Sequence, residues 1–147
     1  MTEPVFVDTN VLIYCRDASE AEKQQRAMEW MKHLWTTRSG RLSIQVLQEF
    51  HAVVTGKLDP GLDHETARAD VRSLLAWKPI RIDAGVIEGA WSLQDHDGLS
   101  WWDALIVSAA QRMGCMQILT EDLQPGQRFG EVVVVSPFET SPDSPGP

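Results

Sequence analysis

The chain has 147 residues, enough for one domain that buries roughly two thirds of the surface its unfolded form exposes. Its net charge of −8, from 21 acidic against 13 basic groups, argues against a passive, sequence-blind nucleic-acid binder with a basic face. Two cysteines, Cys15 and Cys115, are too few for a disulfide framework, no signal-peptide pattern opens the chain, and no stretch approaches the roughly 18 apolar residues of a membrane span; a cytoplasmic protein with free thiols and no membrane partner is expected.

The first element is an apolar strand, Val5-Phe6-Val7, that runs straight into Asp8-Thr9-Asn10. Thr9 or Asn10 can cap a short helix through Tyr14, because their side-chain oxygens accept orphan backbone N–H bonds. Residues 20–35 read as an amphipathic helix with Met28, Met31 and Trp35 at helical spacing, a stripe expected in the core. Six basic groups (Arg16, Lys23, Arg26, Lys32, Arg38, Arg41) lie within residues 1–41, whose charges balance to zero, so the negative excess is all downstream. A polyanion is expected to land on this N-terminal third, with Lys23, Arg26 and Lys32 as its footprint.

Residues 41–44 form a weak strand candidate, and residues 45–55 a helix with Val46, Phe50, Val53 and Val54 on one face and Glu49 beside it. A break holding Pro60 follows, then a helix capped by Asp63 with Ala67, Val71, Leu74 and Leu75 inward, ended by Pro79. Residues 80–82 suggest a short strand, Asp83 caps a helix containing Val86, Ile87, Ala90 and Trp91, and residues 95–98 suggest a turn. Ser100 with Asp103 three residues on resembles a capping box for a helix running to Met113, where Gly114 ends it. Strands are expected at residues 115–119, followed directly by Thr120-Glu121-Asp122, and at residues 132–135, apolar throughout as in a parallel sheet covered on both faces. Residues 1–140 are expected to form a single domain, and the Pro/Ser/Gly-rich residues 141–147 a disordered tail.

Strands alternating with helices imply right-handed crossovers and a mainly parallel sheet with helices on both faces. Such a sheet gathers strand C-termini and helix N-termini on one edge, where ligands bind. Asp8, Asp103 and Asp122 map to that edge, and Glu49 lies on a helix between them. Oxygen-only donors select hard cations, so Mg²⁺ or Mn²⁺ is expected rather than Zn²⁺; the histidines His33, His51, His64 and His96 have no ligand spacing. Carboxylates held together repel until they take up protons or a cation, and a metal-bound water can then attack a phosphodiester.

Four stretches, Val7-Asp8-Thr9-Asn10-Val11-Leu12, Gln45-Val46-Leu47-Gln48-Glu49-Phe50, Leu99-Ser100-Trp101-Trp102-Asp103-Ala104-Leu105-Ile106 and Ile118-Leu119-Thr120-Glu121-Asp122-Leu123, together resemble the PIN-domain ribonuclease family, in particular its VapC-type toxins of bacterial toxin–antitoxin pairs. The resemblance runs from Val5 to Phe138 and implies a three-layer α/β/α fold. It matches Asp8, Glu49, Asp103 and Asp122 to the family's acidic metal-binding quartet, and Thr9, Asn10 and Thr120 to supporting polar positions, with Glu121 nearby. It also implies an Mg²⁺- or Mn²⁺-dependent endoribonuclease acting on RNA, a homodimer, and a cognate antitoxin that blocks the site with a basic side chain. The alternative is a catalytically silent PIN-like module that binds RNA or protein.

Two other metal-binding folds fit less well. A response-regulator receiver needs paired acids after the first strand and a lysine after the last, where this chain has Thr9-Asn10 and Ser136-Pro137; a haloacid-dehalogenase-type phosphatase needs a second aspartate where Asn10 stands. The six tryptophans fit a dimer seam, an antitoxin groove or stacking on RNA bases, and Trp101 and Trp102, which flank Asp103, are expected in the core.

Overall fold

In the computed structural model, which describes residues 3–143, five short strands make one sheet: β1 (Val5–Val7), β2 (Gly40–Arg41), β3 (Gln117–Leu119), β4 (Arg128–Phe129) and β5 (Val132–Val135). Their order is β2-β1-β3-β5-β4, parallel except for β4, which pairs antiparallel with β5. From β1 the chain steps one way to β2 and later returns the other way to β3, so right-handed crossovers place the connecting helices on opposite faces. The register sets Phe6 beside Ile118 and Ile118 beside Val134, three fully buried side chains across the centre of the sheet. The expected α/β architecture, a mainly parallel sheet with helices on both faces, is the one observed.

Among the described residues six helices flank this sheet: α1 (Thr9–Tyr14), α2 (Ala21–Thr37), α3 (Ile44–Gly56), α4 (His64–Leu74), which packs on α3, α5 (Ala84–Asp97), which packs on α6, and α6 (Trp101–Arg112). Ser43, Asp63, Asp83 and Ser100 each cap a helix by accepting a backbone N–H with the side chain. The cap of α1 is Asp8 rather than Thr9 or Asn10: Asp8 is still extended, and its Oδ1 accepts from Thr9 N–H at 2.7 Å.

Several boundaries differ from expectation for local reasons. Ser43 is spent as a helix cap, so the strand foreseen at 41–44 stops at Arg41 and Ile44 is already helical. The strand foreseen at 80–82 shrinks to a single bridge between Ile80 and Ser43. Helix α5 runs through the turn foreseen at 95–98 and ends at Gly98, whose φ of 67° is the left-handed stop that glycine adopts without penalty. The chain after α4 tightens into a 3₁₀ turn, Leu75–Trp77, before Pro79, and this turns Leu75 outward. Strand β4 was not foreseen, although Gly130-Glu131 between Phe129 and Val132 is a two-residue hairpin with glycine at positive φ.

The α2 stripe is rotated by about one position from expectation. Ala27, Trp30, Met31 and Leu34 are buried, and Trp30 Nε1 donates to Thr140 O at 2.9 Å, which satisfies the one polar atom of that ring. Met28 (53% exposed) and Trp35 (42%) instead line a cleft of roughly 370 Å³ with Leu12, Cys15, Phe50 and Leu74. Trp91 is also exposed, and so, against expectation, is Trp102, while Trp101 packs half-buried on the core. The tail foreseen at 141–147 falls largely on residues 144–147, outside the described residues.

Helix α5 backs α6 and so supports the helix that carries Asp103. At their contact Ser108 Oγ donates to Val86 O at 2.7 Å, and a Cβ added at Gly89 would stand 2.5 Å from that oxygen. Gly89→Ala gains up to about 1 kcal/mol of helix propensity but overpacks a hydroxyl held in place, a cost of roughly 1–3 kcal/mol. Net destabilisation is expected in urea denaturation, with partial recovery in the Gly89→Ala/Ser108→Ala double variant. A Gly89→Ala protein more stable than wild type would mean that the interface yields freely.

Candidate active site

Asp8 follows the last residue of β1, and its backbone N–H continues the ladder by donating to Leu119 O at 3.0 Å. Thr120 follows β3 in the same way, donating its N–H to Val135 O at 3.1 Å. Two adjacent parallel strands therefore end side by side with polar residues at their C-terminal edge. Asp8 is 6% exposed and Thr120 fully buried, so both polar groups need partners.

They find them in one another. Thr120 Oγ1 donates to Asp8 Oδ2 at 2.8 Å. Asn10, on the first turn of α1, directs its Nδ2 at Asp8 Oδ2 (3.3 Å), Thr120 Oγ1 (3.1 Å) and Asp122 Oδ2 (3.1 Å), while its Oδ1 accepts from Glu121 N–H at 3.2 Å. Asp122 N–H donates to Thr120 Oγ1 at 3.0 Å. Asn10 thus bridges two carboxylates that lie 114 positions apart in the chain, from Asp8 to Asp122. Asn10→Ala removes the four contacts made by its amide and leaves the Thr120 bonds to Asp8 and Asp122 in place, and the expected result is a loss of roughly 1–3 kcal/mol in urea denaturation. A change below about 0.5 kcal/mol would mean that water replaces the amide without loss.

Glu49 reaches the cluster from α3. Gln45, one turn earlier, donates from Nε2 to Glu49 Oε1 at 2.7 Å, and Thr9 Oγ1 lies 3.5 Å from Glu49 Oε2, at the long limit of a hydrogen bond. Sequence reasoning missed Gln45; its i, i+4 spacing to Glu49 was the available signal. The Gln45 Oε1 atom is buried and has no protein partner. Asp103 sits in the first turn of α6, where Ser100 Oγ accepts its backbone N–H at 3.2 Å.

The electrostatics tie the four acids together. Burial pushes Asp8 up to about 7; hydrogen bonds from Thr120 and from Thr9 N–H oppose this, and the charges of Asp122 and Glu49 add to it. Burial likewise holds Asp103 above the ordinary carboxylate range, opposed by Ser100 and reinforced by Asp122. Asp122 is therefore the charge felt by both. Among the described residues no group of three His, Cys, Asp or Glu side chains is arranged to hold a metal ion. The donor set nonetheless suits a hard cation: every candidate is an oxygen, the acids repel one another, and Mg²⁺ commonly takes only one or two carboxylates while keeping its waters.

Glu121 behaves differently from its neighbour. Its carboxylate accepts from Lys23 Nζ at 2.7 Å and from Tyr14 Oη at 2.6 Å. Burial alone would raise it, but the Lys23 and Tyr14 donors and the Lys23 charge outweigh that and hold it below the usual value. The Lys23 ammonium also lies 5.0 Å from the Tyr14 ring centre and 5.2 Å from that of Phe138. Lys23 is thus engaged at the crevice rim, which removes it from the open cationic footprint expected on α2.

A PIN domain family model matches residues 5–128, a span that holds all four acids. No curated protein matches the chain. Among solved structures, it is similar to a toxin–antitoxin complex from Klebsiella pneumoniae, with a TM-score of 0.59 and 17% identity over 88% of this chain and 95% of that one. It is also similar to Mycobacterium tuberculosis VapC20, a sarcin-ricin loop cleaving toxin, with a TM-score of 0.56 and 20% identity over 78% of this chain and 86% of that one. A third is VapBC2 from Rickettsia felis, bound to a DNA fragment from its promoter, with a TM-score of 0.59 and 15% identity over 90% of this chain and 97% of that one. At such identities these likenesses speak for the fold, and the family rests on the match across residues 5–128. Polar ends of two parallel strands, bridged by Asn10 and faced by Glu49 and Asp103, thus lie within a matched span covering most of the chain, and the chain belongs to the PIN domain family.

Proposed function

We propose that this chain is a divalent-metal-dependent endoribonuclease that hydrolyses RNA phosphodiester bonds, acting in the cytoplasm as the toxin of a toxin–antitoxin pair. The observation that carries the reading is the Asn10-bridged pair of Asp8 and Asp122, with Asp8 driven to about 7 by burial and by the other acids. An arrangement that penalises its own charge is expected where a cation is to be taken up. Asp8, Glu49, Asp103 and Asp122 would hold Mg²⁺ or Mn²⁺, and residues 1–140 would constitute the nuclease domain. When bound, such an ion supplies a water of lowered pKa and stabilises charge on a phosphoryl oxygen.

The chain's own residues do the positioning. Asn10 and Thr120 fix the Asp8 and Asp122 carboxylates relative to each other, Gln45 orients Glu49, and the Ser100 cap sets the first turn from which Asp103 projects. Thr9 contributes its backbone N–H to Asp8, which favours the ionised form that a cation needs. Glu121 supports the rim through Lys23 and Tyr14.

The similarity to toxin–antitoxin structures supports a cognate antitoxin as partner, and the apolar cleft lined by Met28, Trp35 and Leu74 offers such a partner a seat. The family resemblance adds a homodimer. No helix among the described residues is long and apolar enough to cross a membrane. The test is cleavage of total cellular RNA by purified, antitoxin-free protein in Mg²⁺, Mn²⁺ or EDTA, beside Asp8→Asn and Asp103→Asn. Discrete metal-dependent products absent from both variants are expected. A second reading, a silent module that binds RNA or protein, is favoured by the lack, among the described residues, of a ready-made three-ligand group; it is selected if no condition yields cleavage.

A further inference from the structure

At the pole of the sheet opposite the acids, a cleft of roughly 760 Å³ is lined by Trp35, Trp77, Arg38, Arg41 and Lys78 around Gly40. Gly40 pairs with Val5, the first residue of β1, whereas Asp8 follows the last, which places the two sites at opposite strand ends. Helix α2 connects them. Lys23 near its start stands at the crevice rim and Arg38 caps its end, about 22 Å away along the helix axis.

Three observations set this cleft apart. It is lined by three cations and no carboxylate, in a chain whose acids outnumber its bases 21 to 13. Trp35 and Trp77 meet within it at 5.2 Å between ring centres and 58° between planes, and Trp77 lies so close over Gly40 that a Cβ there would overlap its ring. Finally, Arg38 and Lys78 are the two non-glycine residues with positive φ among the described residues, at 57° and 55°. Each ends a helical turn where glycine is ordinarily favoured, and among the described residues neither side chain makes a hydrogen bond or ion pair. Both side chains are exposed, so neither is held by packing, and glycine would suit both backbone positions. Arg41 is anchored, its Nη1 donating to Gly40 O at 3.0 Å and Arg38 O at 3.2 Å.

We propose that this cleft binds single-stranded RNA, with a base stacked on the exposed Trp35 indole and backbone phosphates on Arg38, Arg41 and Lys78. Cations that track a backbone beside aromatic faces that accept any base are the recurring means of holding single strands. An acidic peptide would satisfy the cations and leave the indole pair without a planar partner. The identity of the strand as RNA rests on the ribonuclease reading, and the site would hold substrate flanking the cut rather than the scissile phosphate. It also accounts for how a chain of net charge −8 gains a cationic foothold once Lys23 is engaged by Glu121.

The test is fluorescence anisotropy of a fluorescein-labelled single-stranded RNA of roughly twelve nucleotides, in EDTA across about 50 to 200 mM salt, for wild type and Arg38→Gly/Lys78→Gly. Glycine suits both backbone positions, so this variant should melt at or above the wild-type temperature. Its affinity is expected to fall about tenfold at the low-salt end, with the slope of log affinity on log salt shallower by about 1.4, two single-strand phosphate contacts. Arg38→Lys/Lys78→Arg should stay within about twofold of wild type by the same counting of charges. Unchanged affinity in the glycine variant, no RNA binding by wild type, or polyglutamate competing as well as unlabelled RNA would each overturn the proposal. Binding lost in the glycine variant while wild type cuts nothing with Mg²⁺ would support the cleft and sink the nuclease reading; intact metal-dependent cleavage with unchanged binding would do the reverse.

Discussion

Replacing Asp8 with asparagine is expected to lower metal-dependent RNA cleavage roughly a hundredfold to thousandfold while making the metal-free protein more stable at neutral and higher pH. Both effects follow from the same carboxylate. Asp8 is 6% exposed, lies beside Asp122 and Glu49, and is pushed up to about 7 chiefly by burial. Asparagine keeps the shape and an oxygen for Thr9 N–H and removes the buried charge. It also sets an amide N–H₂ facing the Asn10 Nδ2 donor, and Thr120 must turn its hydroxyl to accept. That mismatch offsets part of the gain, so the net increase is put at roughly 1–3 kcal/mol by urea denaturation in EDTA at about pH 8. A variant that is inactive and also less stable under those conditions would mark Asp8 as a structural cap of α1 and remove the strongest reason for a metal there. Full activity in the variant would remove Asp8 from the reaction altogether.

Much of this site could be read from residue types because its logic is local. An acid at the end of an apolar strand, repeated at Asp8 and at Thr120-Glu121-Asp122, needs only parallel pairing to bring the two together, and the continuous apolar run of β5 already argues for parallel pairing. Helix caps at Asp63, Asp83 and Ser100 were equally legible, since each is a short polar side chain just before an apolar periodic run, whereas the cap at Ser43 was read as part of a strand. What escaped depends on contacts that sequence spacing does not encode. The burial of Trp30 instead of Met28 and Trp35 is decided by Thr140, 110 positions away, which accepts the indole N–H. The division of labour between Asp122 and Glu121 is decided by Tyr14 and Lys23, which draw Glu121 outward. The basic cleft at the far pole comes from turns around Arg38 and Lys78 that both adopt positive φ, a backbone choice that neither residue type advertises.

The stability of the metal-free protein should fall as pH rises from about 4 to about 7 and then level off, the reverse of ordinary acid denaturation. In the folded state Asp8 keeps its proton up to about 7, whereas in the unfolded chain it loses it near the ordinary 3.8 of an aspartate. Between those values the folded state binds more protons, so unfolding becomes progressively easier as pH increases, by as much as about 4 kcal/mol for a shift of this size. Asp103, also held above its ordinary range, acts in the same direction. Glu121 acts oppositely: its folded pKa lies below the ordinary 4.5 of a glutamate, so the stability it contributes is present above that value and is lost only as pH falls through the lower one. The two windows barely overlap, which lets urea denaturation at about pH 5 and pH 8 separate the effect of Asp8 and Asp103 from that of Glu121, and Asp8→Asn then gives the Asp8 share. Adding Mn²⁺ at the higher pH, where Asp8 has lost its proton, should restore much of the lost stability, because a cation bound only by the folded state offsets the buried negative charge. In Asp8→Asn the pH slope should flatten and the Mn²⁺ response shrink together. A wild-type protein whose stability rises from pH 5 to pH 8 in EDTA would show that the buried carboxylate is already ionised and well solvated. A slope that disappears in Asp8→Asn while the Mn²⁺ response stays intact would place the cation among Glu49, Asp103 and Asp122 without Asp8.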